Sequence, residues 1–150
     1  MEGTKLALYE LCLKFVEQRI ATAKTALQQA REASNDDTKS SAGDKYETSR
    51  EMAQQDIDRN KRLLMDAEEN QRQLTLIKDL PITEAVRNGS LVYTDNGNFF
   101  LSISAGQLTL NGETFFAVSA VSPIGKVFLG KKVGEKIDFN GKKYLLKEVI

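Results

Sequence analysis

The stretch "DLPITE", residues 79–84, divides the chain into two different grammars. Pro81 lacks the amide that a helix interior requires and disfavours helix at Leu80, so a helical segment must end here. Upstream, apolar positions run Leu6, Tyr9, Leu13, Val16, Ile20, Ala23, Leu27 and Ala30, with spacings that alternate three and four. That is the seam of a coiled coil. No Gly or Pro interrupts Thr4 to Ala42. The pattern fades in "SNDDTKSSAG", residues 34–43, whose Ser, Asn, Asp and Gly residues favour turns. A second ladder follows: Tyr46, Arg50, Ala53, Ile57, Asn60, Leu64, Ala67, Gln71 and Leu74. Polar residues in such a seam weaken it but fix register, so Arg50, Asn60 and Gln71 are expected to specify one pairing. A loop of about ten residues lets the two helices fold back antiparallel, each arm roughly 45 Å long. Intermolecular pairing into a longer coiled coil is the alternative.

Downstream of Pro81 the period becomes two. "SLVYT", "NFFLSIS", "QLTL", "ETFFAVSAV", "EKIDF" and "KKYLLKEVI" are short and rich in β-branched and aromatic residues. Asn96-Gly97, Asn111-Gly112 and Asn140-Gly141 signal type I′ hairpins, which need positive φ at both central residues. One short helix is expected among the strands, with Ser122 as N-cap, Pro123 at its first position and Gly130 beyond its end. The expected fold is therefore α+β: an antiparallel α-helical coiled-coil hairpin over 1–79, then a small antiparallel β domain with one short helix over 80–150.

Composition narrows the chemistry. The chain has no His and no Trp, and its single Cys excludes an internal disulfide or a cysteine zinc site. Without His the commonest general base and metal ligand are both missing, so a metal would need carboxylates and would be a hard cation such as Mg²⁺. Cys12 falls in the helical pattern and is expected to be a small packed residue rather than a nucleophile. The formal net charge of zero argues against nucleic-acid binding by electrostatics alone. The N-terminus shows no basic region leading into an apolar block, and no apolar run reaches the roughly 20 residues that span a bilayer. A soluble cytoplasmic protein without a membrane partner is expected.

Between the two ladders lies "SSAGDKYETSRE", residues 40–51. Its Asp44 and Glu47 fit a capping box, in which Asp caps the second helix and Glu at the third helical position returns a bond to the cap amide. The same two carboxylates would also stand at the end of a stiff arm. Asp36 and Asp37 lie just before, as turn residues or accessory acids. Lys126, Lys131 and Lys132 either solvate the outer face of the short helix and complement its dipole, or meet a partner.

The segment "SPIGKVFLGKKVGEKIDFNGKKYLLKEVI", residues 122–150, resembles the C-terminal end of the bacterial Gre transcript-cleavage factors, where a Ser-Pro-helix-Gly-Lys segment leads into "GKKVGE" and a last hairpin. Gly43, Asp44 and Glu47 match the family's Gly-Asp-x-x-Glu. The resemblance implies an FKBP-like globule that docks on RNA polymerase at its secondary channel, with Ser122, Pro123, Lys126, Lys131 and Lys132 as candidate partner contacts. It also implies a hairpin whose end, at about residues 35–47, presents carboxylates to the polymerase active site. Asp44 and Glu47, with Asp36 and Asp37 as accessories, would then hold Mg²⁺ shared with the polymerase, which cuts its own backtracked RNA. Nascent RNA would be met only inside that complex. On this reading the protein is a monomeric accessory factor, not an enzyme in its own right.

The sequence departs from the family where Lys45 replaces a hydrophobic residue and Thr48-Ser49-Arg50-Glu51 replaces Asn-Ala-Glu-Tyr. A polymerase-binding modulator or inhibitor without cleavage activity therefore stands beside the cleavage factor. A coiled-coil adaptor unrelated to transcription is a third reading. A peptidyl-prolyl isomerase is a fourth, disfavoured because such sites are usually floored by Trp.

Overall fold

The computed structural model describes the backbone of residues 3–38 and 43–150, and the side chains of residues 3–35 and 47–150. The chain is α+β, and its described residues form two long helices, six strands and one short helix. Helix α1 spans Gly3–Thr38 and α2 spans Gly43–Ile77. Strands β1 (Leu91–Thr94), β2 (Gly97–Ser102), β3 (Gly106–Leu110) and β4 (Glu113–Ser119) follow, then α3 (Pro123–Phe128), β5 (Lys136–Phe139) and β6 (Lys142–Val149). Packing divides the chain into two compact units, one of 1–15 with 72–150 and one of 16–71.

The second unit is a helical hairpin. Val16, Ala23, Leu27 and Ala30 on α1 and Ala53, Ile57, Asn60 and Ala67 on α2 are buried, as the ladders require. Leu27, Ala30 and Ile57 form its small core, with Leu64 packed against them. Two of the polar seam positions are different from expectation. Arg50 and Gln71 are exposed, because a flexible charged or amide side chain can lean out of a seam to stay hydrated. Asn60 is buried, and its Nδ2 donates 2.8 Å to the Asp56 carbonyl one turn back in its own helix. Helix α1 also runs on through Ser34, Asn35, Asp36, Asp37 and Thr38, so only residues 39–42 separate the helices, instead of about ten. Turn-favouring residues lower helix propensity by only tenths of a kcal/mol each, and helix propagation outweighs that at a terminus.

The first unit is built on a six-stranded sheet in the order β3-β4-β2-β1-β6-β5. It is mixed, not antiparallel: β2 and β4 pair parallel, Phe99 opposite Phe116 through Ser102 opposite Ser119. The reason lies at Ile103, Ser104 and Ala105, which carry the chain across the place that β4 then fills. Strand β3 turns back into β4 through the Asn111-Gly112 hairpin, inserting β4 between β3 and β2.

Both faces of the sheet centre are covered, which explains the apolar doublets "LV" of β1 and "FF" of β2 where a one-sided sheet would alternate. On one face Val92, Phe99, Leu101, Ile137, Tyr144 and Leu146 form a core with Phe128, and Ile124 and Val127 of α3 pack against it. The other face carries Leu91, Phe100, Ser102, Phe115 and Ala117. Cys12 Sγ of α1 lies 3.7 Å from Ser102 Oγ there, and Lys5 Nζ donates 3.1 Å to the Ile150 carbonyl. In this first stretch of α1 the buried set is Lys5, Leu8, Tyr9 and Cys12, whereas Leu6 is exposed and Leu13 half-buried.

Two of the three Asn-Gly turns have the expected backbone. Asn111 and Gly112 have φ of 52° and 79°, and Asn140 and Gly141 have 50° and 79°. The third differs: β1 and β2 turn on Asp95 and Asn96, and the positive φ of 121° falls on Gly97 alone. Here the Thr94 hydroxyl accepts from the Asn96 amide at 3.0 Å and closes the turn locally. The Asp95 carboxylate accepts from the Leu145 amide at 2.8 Å, which draws the turn toward β6.

Candidate functional site

Two groups of residues invite a function, one at the connection between the long helices and one beside α3.

At the connection, α2 begins at Gly43, so Asp44 sits second in the helix rather than at the cap position in front of it. Asp44 and Glu47 are therefore not at the capping-box positions expected for them, and lie instead within the first turns of α2, where negative charge suits the helix dipole. Asp44 and Glu47 are three apart on a helix, a spacing that puts both positions on one face. Glu47 is exposed. The side chains of Asp36, Asp37 and Asp44 lie outside the described residues, and α1 holds Asp36 and Asp37 in its last turn. Two carboxylates on one helix face fit the usual protein share of a Mg²⁺ shell, one or two carboxylates with the remaining positions left to water and phosphate. Arg50, exposed and three residues beyond Glu47, lies on the same helix face as that carboxylate.

Beside α3, the sequence-expected cap is present. Ser122 Oγ accepts from the Gly125 amide at 3.1 Å and donates to the Ser119 carbonyl at 2.5 Å. Its hydroxyl is thus committed to the start of α3, and Pro123 occupies the first helical turn. Gly130 and Lys131 then close a small ring with Val86: the Gly130 amide donates to the Val86 carbonyl, and the Val86 amide to the Lys131 carbonyl, both at 2.8 Å. This fixes the chain that leaves α3.

A shallow groove of about 350 Å³ opens there, lined by Lys126, Val127, Leu129, Lys131, Lys136, Ile137 and Asp138. The structure brings Lys126 and Lys131 together with Lys136, a residue the sequence reading passed over as part of a strand. Lys132 does not join them. Its ammonium lies 4.0 Å from Glu84, and its amide donates 2.6 Å to Glu135.

Cys12 is settled as a structural residue. It is completely buried, and burial pushes its thiol up to about 11, against a smaller lowering by the Ser102 hydroxyl. A neutral buried thiol is a poor nucleophile. Native protein at neutral pH is expected to resist an alkylating reagent, with modification appearing only on unfolding in urea, as read by mass spectrometry. The unfolded thiol ionises near 9.0 and the native one near 11. Stability from this residue is therefore complete below pH 9 and lost as pH rises toward 11, by about 2–3 kcal/mol.

No protein-family model matches the chain, and no curated protein is significantly similar to it. Among the described residues no helix is long and apolar enough to cross a membrane.

Proposed function

We propose that this protein is a Gre-like transcription elongation factor. Its FKBP-like globule binds RNA polymerase at the secondary channel, and its hairpin stimulates cleavage of backtracked RNA. The observation that carries the reading is the position of Asp44 and Glu47 at the start of α2, with only residues 39–43 between Asp44 and the end of α1. A carboxylate pair donated to another enzyme's active site needs a stiff support, and a two-helix hairpin supplies one. From Val16 to Thr38, α1 rises roughly 33 Å. The "SPIGKVFLGKKVGE" segment supports the docking half, and the mixed sheet with α3 on one face supports the FKBP-like assignment.

Asp44 and Glu47, with Asp36 and Asp37 near them, would hold a Mg²⁺ shared with the polymerase. That ion supplies charge stabilisation and water activation for phosphodiester hydrolysis. The protein's own contribution is to carry the carboxylates and to hold their spacing on one helix face. No reaction on the free chain is proposed.

The test is RNA cleavage in a stalled, backtracked bacterial elongation complex with Mg²⁺. Wild type is expected to accelerate cleavage, and the Asp44→Ala/Glu47→Ala variant to lose on the order of 100-fold of that effect, because positioning of this kind tolerates little displacement. Polymerase binding should be unchanged in the variant. A second reading rests on Lys45 and Arg50, cations that flank the pair and disfavour a metal. It predicts bound polymerase with no stimulation by wild type, a modulator in place of a cleavage factor. Absence of polymerase binding would overturn both.

A further inference from the structure

The groove beside α3 concentrates charge that the fold does not use. Lys126 lies in the last turn of α3, Lys131 follows it, and Lys136 opens β5. None of the three has an ion-pair or side-chain hydrogen-bond partner among the described residues. Three lysines and a single acid, Asp138, line the groove, in a protein whose formal net charge is zero. Among the cations, Leu129 is 39% exposed and Val127 half-buried, with Ile137 of the core buried beneath them. One wall is β5, an edge strand of the sheet.

We propose that this groove is a docking site for an acidic protein segment that places an apolar side chain against Leu129 and Val127. Charge complementarity sets the sign of the partner: carboxylates to meet the lysines, which steer and orient the encounter. The floor sets its class. A single-stranded nucleic acid would use aromatic platforms for its bases, and no aromatic residue lines the groove. A membrane surface is met by protruding apolar side chains on a convex face, whereas Ile137 is recessed. An apolar centre with a charged rim is the ordinary make-up of a protein-binding surface.

This inference rests on reading the globule as the docking half of the molecule, and it adds the chemistry of what docks. It requires neither the carboxylate pair nor a polymerase, so its test is independent of the cleavage assay. The full chain is titrated into a short fluorescein-labelled peptide of Glu and Asp around a central Leu-Leu, and anisotropy is read at two salt concentrations. Saturable binding is expected, weaker at high salt. It should weaken about tenfold or more with Lys126→Glu/Lys131→Gln/Lys136→Glu, and comparably when Leu-Leu becomes Ser-Ser. Matched circular dichroism melts show that the variant is folded, and Lys126→Gln/Lys136→Gln alone, both exposed, should weaken binding in the same direction. No saturable binding, or affinity indifferent to these lysines, overturns the proposal. So does equal binding of the Ser-Ser peptide, or displacement of the peptide by mixed-sequence single-stranded RNA or phosphatidylserine vesicles that depends on the same lysines.

Discussion

Gly125→Ala is expected to destabilise the globule by about 3 kcal/mol or more, the upper range for overpacking a site that has no room to yield. A Cβ at Gly125 would stand 2.0 Å from the Ser119 carbonyl oxygen and 3.0 Å from the Ala120 Cα, both backbone atoms. That carbonyl is not free to move, since it accepts from the Ser122 amide at 3.1 Å and from the Ser122 hydroxyl. Relieving the clash would push α3 off its turn and break its cap. The measurement is urea unfolding followed by tyrosine fluorescence, which reports the aromatic core of the globule. Gly134→Ala is the control. There a Cβ meets nothing within 4 Å, and only its φ of 92° is unfavourable to a side chain. Its expected cost is about 1–2 kcal/mol. Equal losses for the two variants would mean that Gly125 is not a point of close approach.

Phe128→Ala is the second large effect, with an expected loss of about 3–5 kcal/mol. Phe128 ends α3 and is fully buried. Its ring centroid lies 4.9 Å from that of Phe99 on β2 and 5.8 Å from that of Tyr144 on β6. Phe99 and Tyr144 in turn meet edge to face at 5.6 Å, so the three rings interlock and removing Phe128 leaves a cavity between α3 and the sheet. Such pairs contribute beyond their buried area. Phe128→Leu restores most of the volume and is expected to lose well under half as much. The check is again urea unfolding, with the peptide titration run below the transition. Because Leu129 and Lys131 follow Phe128 directly, the groove should weaken with it. A loss below about 1 kcal/mol would contradict the packing of α3 on the sheet.

These two sites also mark how differently local and nonlocal features can be read. Ser122, Pro123 and Gly130 announced α3 because a cap, an N1 proline and a positive φ of 80° at Gly130 are properties of a few neighbouring residues. Asn111-Gly112 and Asn140-Gly141 were legible for the same reason. Asn96-Gly97 misled because the Thr94 hydroxyl and the Asp95 bond to Leu145 offered that turn another closure, and one of those partners is fifty residues away.

The hairpin ladder was readable over residues 16–30 and 53–67, where the residues at the three-and-four spacing are the ones buried, while Met52, Leu63 and Met65 off that spacing are exposed. Nearer the N-terminus, "LALYELCLKFV" offers more than one stripe, and the sequence favoured Leu6 and Leu13. Packing buried Leu8 and Cys12 instead, with the Cys12 thiol against Ser102 on the sheet. The candidate site shows the same division. Asp44 and Glu47 stood out through their spacing and their place between two ladders. Lys136 did not, because nothing in "GEKIDF" tells that it will face Lys126 and Lys131.

What the sequence determined alone is thus the list of elements: two long helices ending before Pro81, six short strands, one capped helix and the turns that need Asn or Gly. These follow from periodicity and backbone preference, which act over a few residues. Tertiary structure alone decided that β4 enters between β2 and β3, that the sheet is mixed and that the start of α1 packs on it. It alone drew three lysines from a helix, a loop and a strand around one apolar floor. Strand order and face burial are set by competition among contacts far apart in the chain, and no local pattern encodes the winner.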